Sequence, residues 1–307
     1  MNSKSQHYIL ISGASGLVGQ KLVPMLLDAE YRVITLGRSE RGQFPCDHVS
    51  WNQLKSGECV ALEHVTHIVH LAGSNIGSKR WTDDNKTEFI NSRVDSAALL
   101  RQVFTNHKHE LSSYISASAT GYYGLKTTEK IYVEQSANGS DFAADLCEKW
   151  EASADAFESI SKRVLKLRIG IVLSPKGGAL KKMIGTTRLG VGSALGSGKQ
   201  WFPWIHIDDL AKVIFFSIEN ETVEGVYNAV APEHATNRDV NKALAAAMNK
   251  PFWAPNVPSF LLKRMFGEMS EILLGGSRIS SQKILDTGFS FDHPVLKTAL
   301  KNLVGND

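Results

Sequence analysis

The stretch that most constrains this chain is ILISGASGLVG, residues 9–19. An apolar strand-like run meets three glycines spaced by three, Gly13, Gly16 and Gly19. The spacing suits a strand that turns straight into a helix. Gly13 allows the tight turn, Gly16 lets the backbone approach a pyrophosphate, and Gly19 lets the helix pack close to the strand. The helix start then offers unpaired N–H groups and a positive dipole end to phosphates. Val18, Leu22 and Leu26 give that helix an apolar face, and Pro24 is expected to strain it. The alternative is a glycine-rich turn without a ligand, and the organisation downstream favours the nucleotide.

That organisation alternates. Strand-like runs fall at residues 7–12, 31–36, 67–71, 113–117 and 164–172, with helical patterns at 86–106 and 145–160 between them. In the second helix Leu146, Trp150, Ala154 and Phe157 share a face. Almost wholly apolar strands alternating with helices predict an α/β fold, a doubly wound parallel sheet of Rossmann type covered on both faces. Residues 1–175 carry the nucleotide-binding part, to which later strands return. Residues 176–307 are mainly a smaller α/β substrate-side lobe. It opens on the glycine-dense GGALKKMIGTTRLGVGSALGSGKQ and a strand-to-helix passage, WIHIDDL, with Asp208 or Asp209 as helix cap. Residues 237–248 form a helix, and another starts at Pro258 with Leu261, Leu262, Met265 and Phe266 as its buried stripe.

The end of the second strand selects the nucleotide. An acidic residue there would bind the ribose 2′-hydroxyl of NAD; this chain has Leu36-Gly37-Arg38-Ser39. The planar fork of Arg38, with Ser39 beside it, suits a 2′-phosphate and predicts NADP(H). A solvated surface arginine is the alternative.

GASGLVG, HLAGSNI, SASATGYYG and WIHIDDLA together resemble the extended short-chain dehydrogenases/reductases. Arg80-Trp81, Asn91-Ser92-Arg93-Val94 and Cys147-Glu148-Lys149-Trp150-Glu151 make the chain more similar to an atypical branch, the epimerase-like proteins of the SDR39U1 (YfcH-like) type. Residues 253–303 resemble the short domain that ends those proteins. The resemblance implies an NADP-binding Rossmann domain. On the cofactor side it implies Gly13, Ala14, Ser15, Gly16, Leu17, Val18, Gly19, Arg38, Ser39, Leu71, Ala72, Gly73 and Arg168.

Extended members use a Ser or Thr ending the fifth strand and a helix-borne Tyr-x-x-x-Lys, whose lysine lowers the tyrosine pKa for proton transfer. Here the three positions align on Ala119, Ala143 and Cys147. Ser118, Thr120, Tyr122 and Glu148 are the remaining catalytic candidates, with Tyr123 and Lys149 nearby. Arg80, Trp81, Lys86 and His206 are candidates for an anionic or polar substrate. Two classes stay open, an NADP(H)-dependent epimerase-like oxidoreductase and a non-catalytic NADP(H)-sensing protein.

Composition excludes other classes. Net charge is 34 − 31 = +3, too small to call for nucleic acid or a membrane surface. Cys46, Cys59 and Cys147 form no CxxC pair, which suggests a reducing, cytoplasmic-type compartment. No His/Cys/Asp/Glu spacing suggests a metal. The resemblance allows a homodimer through two Rossmann helices.

Overall fold

The computed structural model describes residues 7–57, 60–106 and 110–305; Cys59 lies outside them. The Rossmann part runs β1 (Tyr8–Ser12), α1 (Gly19–Asp28), β2 (Arg32–Gly37), β3 (Asp47–Ser50), α2 (Trp51–Ser56), β4 (Val65–His70), α3 (Asp83–Asn106), β5 (Ser113–Ala119), β6 (Ile131–Tyr132), α4 (Phe142–Asp155) and β7 (Val164–Ile169). There follow β8 (Ile171–Leu173), α5 (Gly178–Arg188), β9 (Trp204–His206), α6 (Ile207–Glu219), β10 (Gly225–Ala229), α7 (Asn237–Ala247), α8 (Ser259–Phe266), α9 (Glu271–Leu274), β11 (Arg278–Ile279), α10 (Gln282–Asp286) and α11 (Leu296–Val304).

Seven strands make one sheet in the order β10-β7-β5-β4-β1-β2-β3, every pair parallel. The order reverses between β1 and β4. Such a switch point opens a crevice at the carboxyl ends of the strands. Alternation along the strands feeds two cores. Ile9 and Ile11 pack with Leu22 and Leu26 of α1 and Leu210 and Val213 of α6. Leu10 faces the other side, with Leu100 and Phe104 of α3 and Phe157. There the Phe157 ring stacks on Tyr114 at 3.6 Å. A third core joins Trp204, Leu180, Leu244 and Leu300 in the C-terminal lobe.

The parallel sheet agrees with the sequence, and several details differ. β3 and β10, short edge strands, add to the five expected. The run at 164–172 divides at Gly170 into β7, in the main sheet, and β8, which pairs with β9. Pro24 sits inside α1, which continues through it. The cap of α6 is neither aspartate: His206 Nδ1 accepts the Asp208 N–H. Pro258 stands at the cap of α8, but of the expected stripe only Leu262 is buried. Leu261 and Met265 are exposed, with Phe260 beside them.

Candidate functional site

The glycine turn has the shape a bound pyrophosphate needs. Gly13 adopts φ +74°, and a Cβ there would stand 2.8 Å from the Leu71 carbonyl carbon. Either fact alone disfavours any other residue. A Cβ on Gly19 would lie 2.5 Å from Ala14 Cα, so only glycine lets α1 start so close to the turn. The Gly16 N–H folds back on the Gly13 carbonyl at 2.9 Å. Ser15 and Leu17 occupy the turn itself, and Val18 stands at the start of α1.

The neighbouring loop is tied to this turn. The Leu71 N–H donates to the Ser12 carbonyl, and the Ala72 N–H reaches Ser12 Oγ at 3.3 Å. Ser12 Oγ in turn lies 2.6 Å from His70 Nδ1. Burial pushes His70 down to about 4, so this imidazole is neutral and serves as a hydrogen-bonding brace. At the end of β2, Arg38 is exposed and makes no hydrogen bond or ion pair with the described residues. Ser39 is engaged in its own turn, accepting the Arg41 N–H at 3.2 Å.

Arg168, expected on the cofactor, is instead built into the protein. It is 3% exposed and forms a bidentate pair with Glu151, Nε to Oε1 at 2.8 Å and Nη2 to Oε2 at 2.9 Å. Its Nη1 donates to Tyr123 Oη and the Glu134 carbonyl, both at 3.0 Å. The Tyr122 ring covers its guanidinium at 3.3 Å. With one face and its edges so occupied, Arg168 braces the floor of the crevice. Arg168 lies within β7 and its partner Glu151 on α4, so no local pattern shows the pairing.

The catalytic candidates separate into committed and free groups. Ser118 is buried and donates to Glu151 Oε1 at 2.7 Å, so its proton is already used. Glu148 is exposed and accepts from Asn138. Thr120 and Tyr122 occupy the turn after β5, and their hydroxyls make no hydrogen bond with the described residues. Ala119, Ala143 and Cys147 do converge. The Cys147 thiol points at the Ala119 carbonyl, 3.6 Å away. A Cβ on Gly121 would touch Ala143 Cβ at 3.2 Å and Cys147 Sγ at 3.6 Å. Burial pushes the Cys147 thiol up to about 12, so it is not a thiolate nucleophile.

The expected substrate residues are engaged with the protein itself. Arg80 Nη2 donates to the carbonyls of Arg264 and Met265. Lys86 pairs with Glu268 at 2.6 Å. Trp81 is buried, its Nε1 on the Ile76 carbonyl and its ring against Phe142. Arg80 and Lys86 thereby pin the start of α3 to the C-terminal segment. His206 is also buried, its ring stacked on His293 at 3.8 Å. Burial and then the His293 charge push it down to about 4. The open space lies beyond them, a cleft of about 500 Å³ lined by Leu125, Lys126, Ser197, Lys263, Glu271 and Gly275. Sequence reasoning missed these, because the cleft is assembled from four separate segments.

No metal-binding spacing is visible in the sequence, yet the fold brings His206, Asp208 and His293 together, their ligand atoms within 4.8 Å. The group joins β9 to a distant loop, which no local motif could reveal. Asp208 already pairs with Lys21 at 2.8 Å, and His206 Nδ1 with the Asp208 N–H. Among the described residues no helix is long and apolar enough to cross a membrane.

Comparison with known proteins agrees with this geometry. The NAD dependent epimerase/dehydratase family matches residues 9–229, and the domain of unknown function DUF1731 matches residues 257–303. Epimerase family protein SDR39U1 of Mus musculus is 34% identical over 300 residues, 96% of this chain and 99% of that protein. The chloroplastic SDR39U1 homolog of Arabidopsis thaliana is 33% identical over 98% of this chain and 88% of its own length. The crystal structure of human SDR39U1 (isoform 2) with NADPH superposes with a TM-score of 0.88 at 31% identity, covering 97% of this chain and 99% of that one. Thermus thermophilus UDP-glucose 4-epimerase, at 17% identity and a TM-score of 0.76 over 97% and 98% of the two chains, shares the fold. The chain belongs to the NAD-dependent epimerase/dehydratase family and carries the C-terminal DUF1731 domain with it.

Proposed function

We propose that this protein binds NADP(H) and acts as an epimerase-like oxidoreductase on a small polar substrate held in the cleft beside Lys126 and Lys263. The observation that carries the cofactor reading is the glycine cradle, closed to any Cβ at Gly13 and Gly19, with an unpaired Arg38 at the end of the next strand. The human relative crystallised with NADPH supports it. Gly13 to Gly19 would hold the pyrophosphate, and Arg38 the 2′-phosphate. When bound, the cofactor supplies hydride chemistry. With Ser118 committed and Ala119, Ala143 and Cys147 inert, the free hydroxyls of Thr120 and Tyr122 are the groups left to move a proton. Action in the cytoplasm, without nucleic acid or membrane, and pairing into a homodimer belong to the same reading.

The same three inert positions favour a second reading, a non-catalytic NADP(H) sensor in which the cofactor stabilises one conformation.

Thermal unfolding with NADPH, NADP⁺, NADH and NAD⁺ tests the cofactor reading. At about a hundred times its Kd, a ligand adds about 2.7 kcal/mol of stability. The midpoint should rise with the phosphorylated pair alone. Arg38→Glu should remove most of that rise while leaving the unliganded midpoint in place. No shift with any of the four, from protein free of co-purified cofactor, would overturn it. NADPH oxidation over a panel of carbonyl substrates then separates enzyme from sensor.

A further inference from the structure

Arg93 is an unusual residue for its place. It sits on α3, 7% exposed, and no carboxylate pairs with it among the described residues. Its Nη1 donates to the Phe89 carbonyl at 2.8 Å and its Nη2 to the Ser74 carbonyl at 3.0 Å. Its Nε is buried without a partner. The guanidinium lies over the Trp150 ring, 4.5 Å from its centroid. Neutral carbonyls and a ring face solvate a cation, but they do not neutralise it. Burying an uncompensated charge is costly, and such charges concentrate where a ligand uses them.

Its position suggests the use. A Cβ on Gly73 would stand 2.9 Å from the Arg93 guanidinium carbon, so the cation lies directly behind the loop that follows β4. With Arg38 marking the adenosine end over β2, the dinucleotide runs across the switch point, and its nicotinamide end falls on the β4–β5 side. On the far side of Arg93 stands α4, with Trp150 against the guanidinium and Cys147 one turn before it. Cys147 occupies the position that the resemblance to extended short-chain dehydrogenases/reductases assigns to the lysine of Tyr-x-x-x-Lys, and its buried thiol brings no charge.

We propose that Arg93 supplies, from the neighbouring helix, the positive charge that the lysine position no longer carries, and that it biases the crevice toward the reduced cofactor. This rests on the NADP(H) reading above. Oxidised nicotinamide carries a positive charge and reduced nicotinamide none. A fixed cation behind the ring therefore repels NADP⁺ and is indifferent to NADPH. For either an enzyme or a sensor, the result is a site that stays loaded with NADPH while NADP⁺ leaves.

The test is the ratio Kd(NADP⁺)/Kd(NADPH), read by calorimetric titration of the full chain at fixed ionic strength. In Arg93→Met the ratio should fall by between about threefold and thirtyfold, the range for unit charges several ångströms apart in a partly screened site. Adding Cys147→Lys to that variant should restore it. A merely structural arginine would weaken both cofactors alike, and a lysine on α4 would not mend that. If Arg93→Met does not fold, Arg93→Gln, which retains donors for the two carbonyls, is titrated instead. An unchanged ratio in a folded neutral variant overturns the proposal with cofactor binding intact. Wild-type protein that binds none of the nucleotides overturns the NADP(H) reading, and this inference falls with it.

Discussion

Lowering the pH from 6.5 to 4 should unfold the protein far more steeply than surface charge alone would. His67, His70 and His206 are each pushed down to about 4 by burial, against about 6.5 in an unfolded chain. Above pH 6.5 all three are neutral in both states, and their contribution is complete. Below it the unfolded chain takes up protons that the folded chain refuses, so stability is lost until the folded values are reached near pH 4. Three such groups give a slope of at most about 4 kcal/mol per pH unit. His234 shifts in the same direction from a half-exposed site. Each ring has a partner suited to the neutral form. His67 Nδ1 lies 2.8 Å from Ser113 Oγ, and His206 Nδ1 accepts an N–H at the head of α6. His70 lies between Ser12 and Ser96, at 2.6 and 3.1 Å. Urea unfolding at pH 7.5, 6.0 and 5.0 measures the slope. A free energy that stays level across that range would mean the rings take up protons in the folded state. His70→Gln should flatten the curve by about one proton's share while lowering stability at neutral pH.

Much of the fold was legible because its causes are local. A strand buried on both faces must be apolar throughout, as at Ile9, Leu10 and Ile11. A turn that puts a Cβ into Ala14 or Leu71 must be glycine, whatever lies elsewhere. Roles set by distant partners were not legible. Arg80 and Lys86 looked like free cations because their partners, the carbonyls of Arg264 and Met265 and the carboxylate of Glu268, lie more than 180 residues on. The α8 stripe was apolar as read, but periodicity shows which side is greasy, not what covers it. His206, Asp208 and His293 meet only through the path of the chain. The positions Ala119, Ala143 and Cys147 came from the resemblance to extended short-chain dehydrogenases/reductases, whose catalytic pattern lies along one strand and one helix. That alignment places the missing acid–base pair where the structure brings the three residues together.

Replacing Glu151 by Gln should cost about 3–5 kcal/mol of stability, because it leaves the Arg168 guanidinium buried without a counter-charge. The loss should spread, since Arg168 belongs to a chain of contacts across the sheet. Arg168 meets Tyr123, whose hydroxyl donates to Asn228 Oδ1 at 2.6 Å. Asn228 is held by Glu134 Oε1 through its N–H and donates to the Ser280 carbonyl. Thus β5, α4, β7, β10 and the C-terminal segment share one polar network beneath the crevice. Glu151→Leu with Arg168→Met should be more stable than either single change, since an apolar pair of similar size removes the uncompensated charge. Recovery should be partial. Ser118 would then lose its acceptor, at about 1–3 kcal/mol for a group left buried and unpaired, while Tyr123 keeps Asn228. Denaturant midpoints for the four proteins close this cycle. A Glu151→Gln protein within about 1 kcal/mol of wild type would show that the pair does not brace the fold, against the usual cost of breaking one. The same variants decide what Arg168 does for the cofactor. If folded Arg168→Met at low temperature binds NADPH as wild type does, Arg168 is scaffold alone. If affinity collapses while the double variant regains stability and not binding, the guanidinium acts on the cofactor as well as on Glu151.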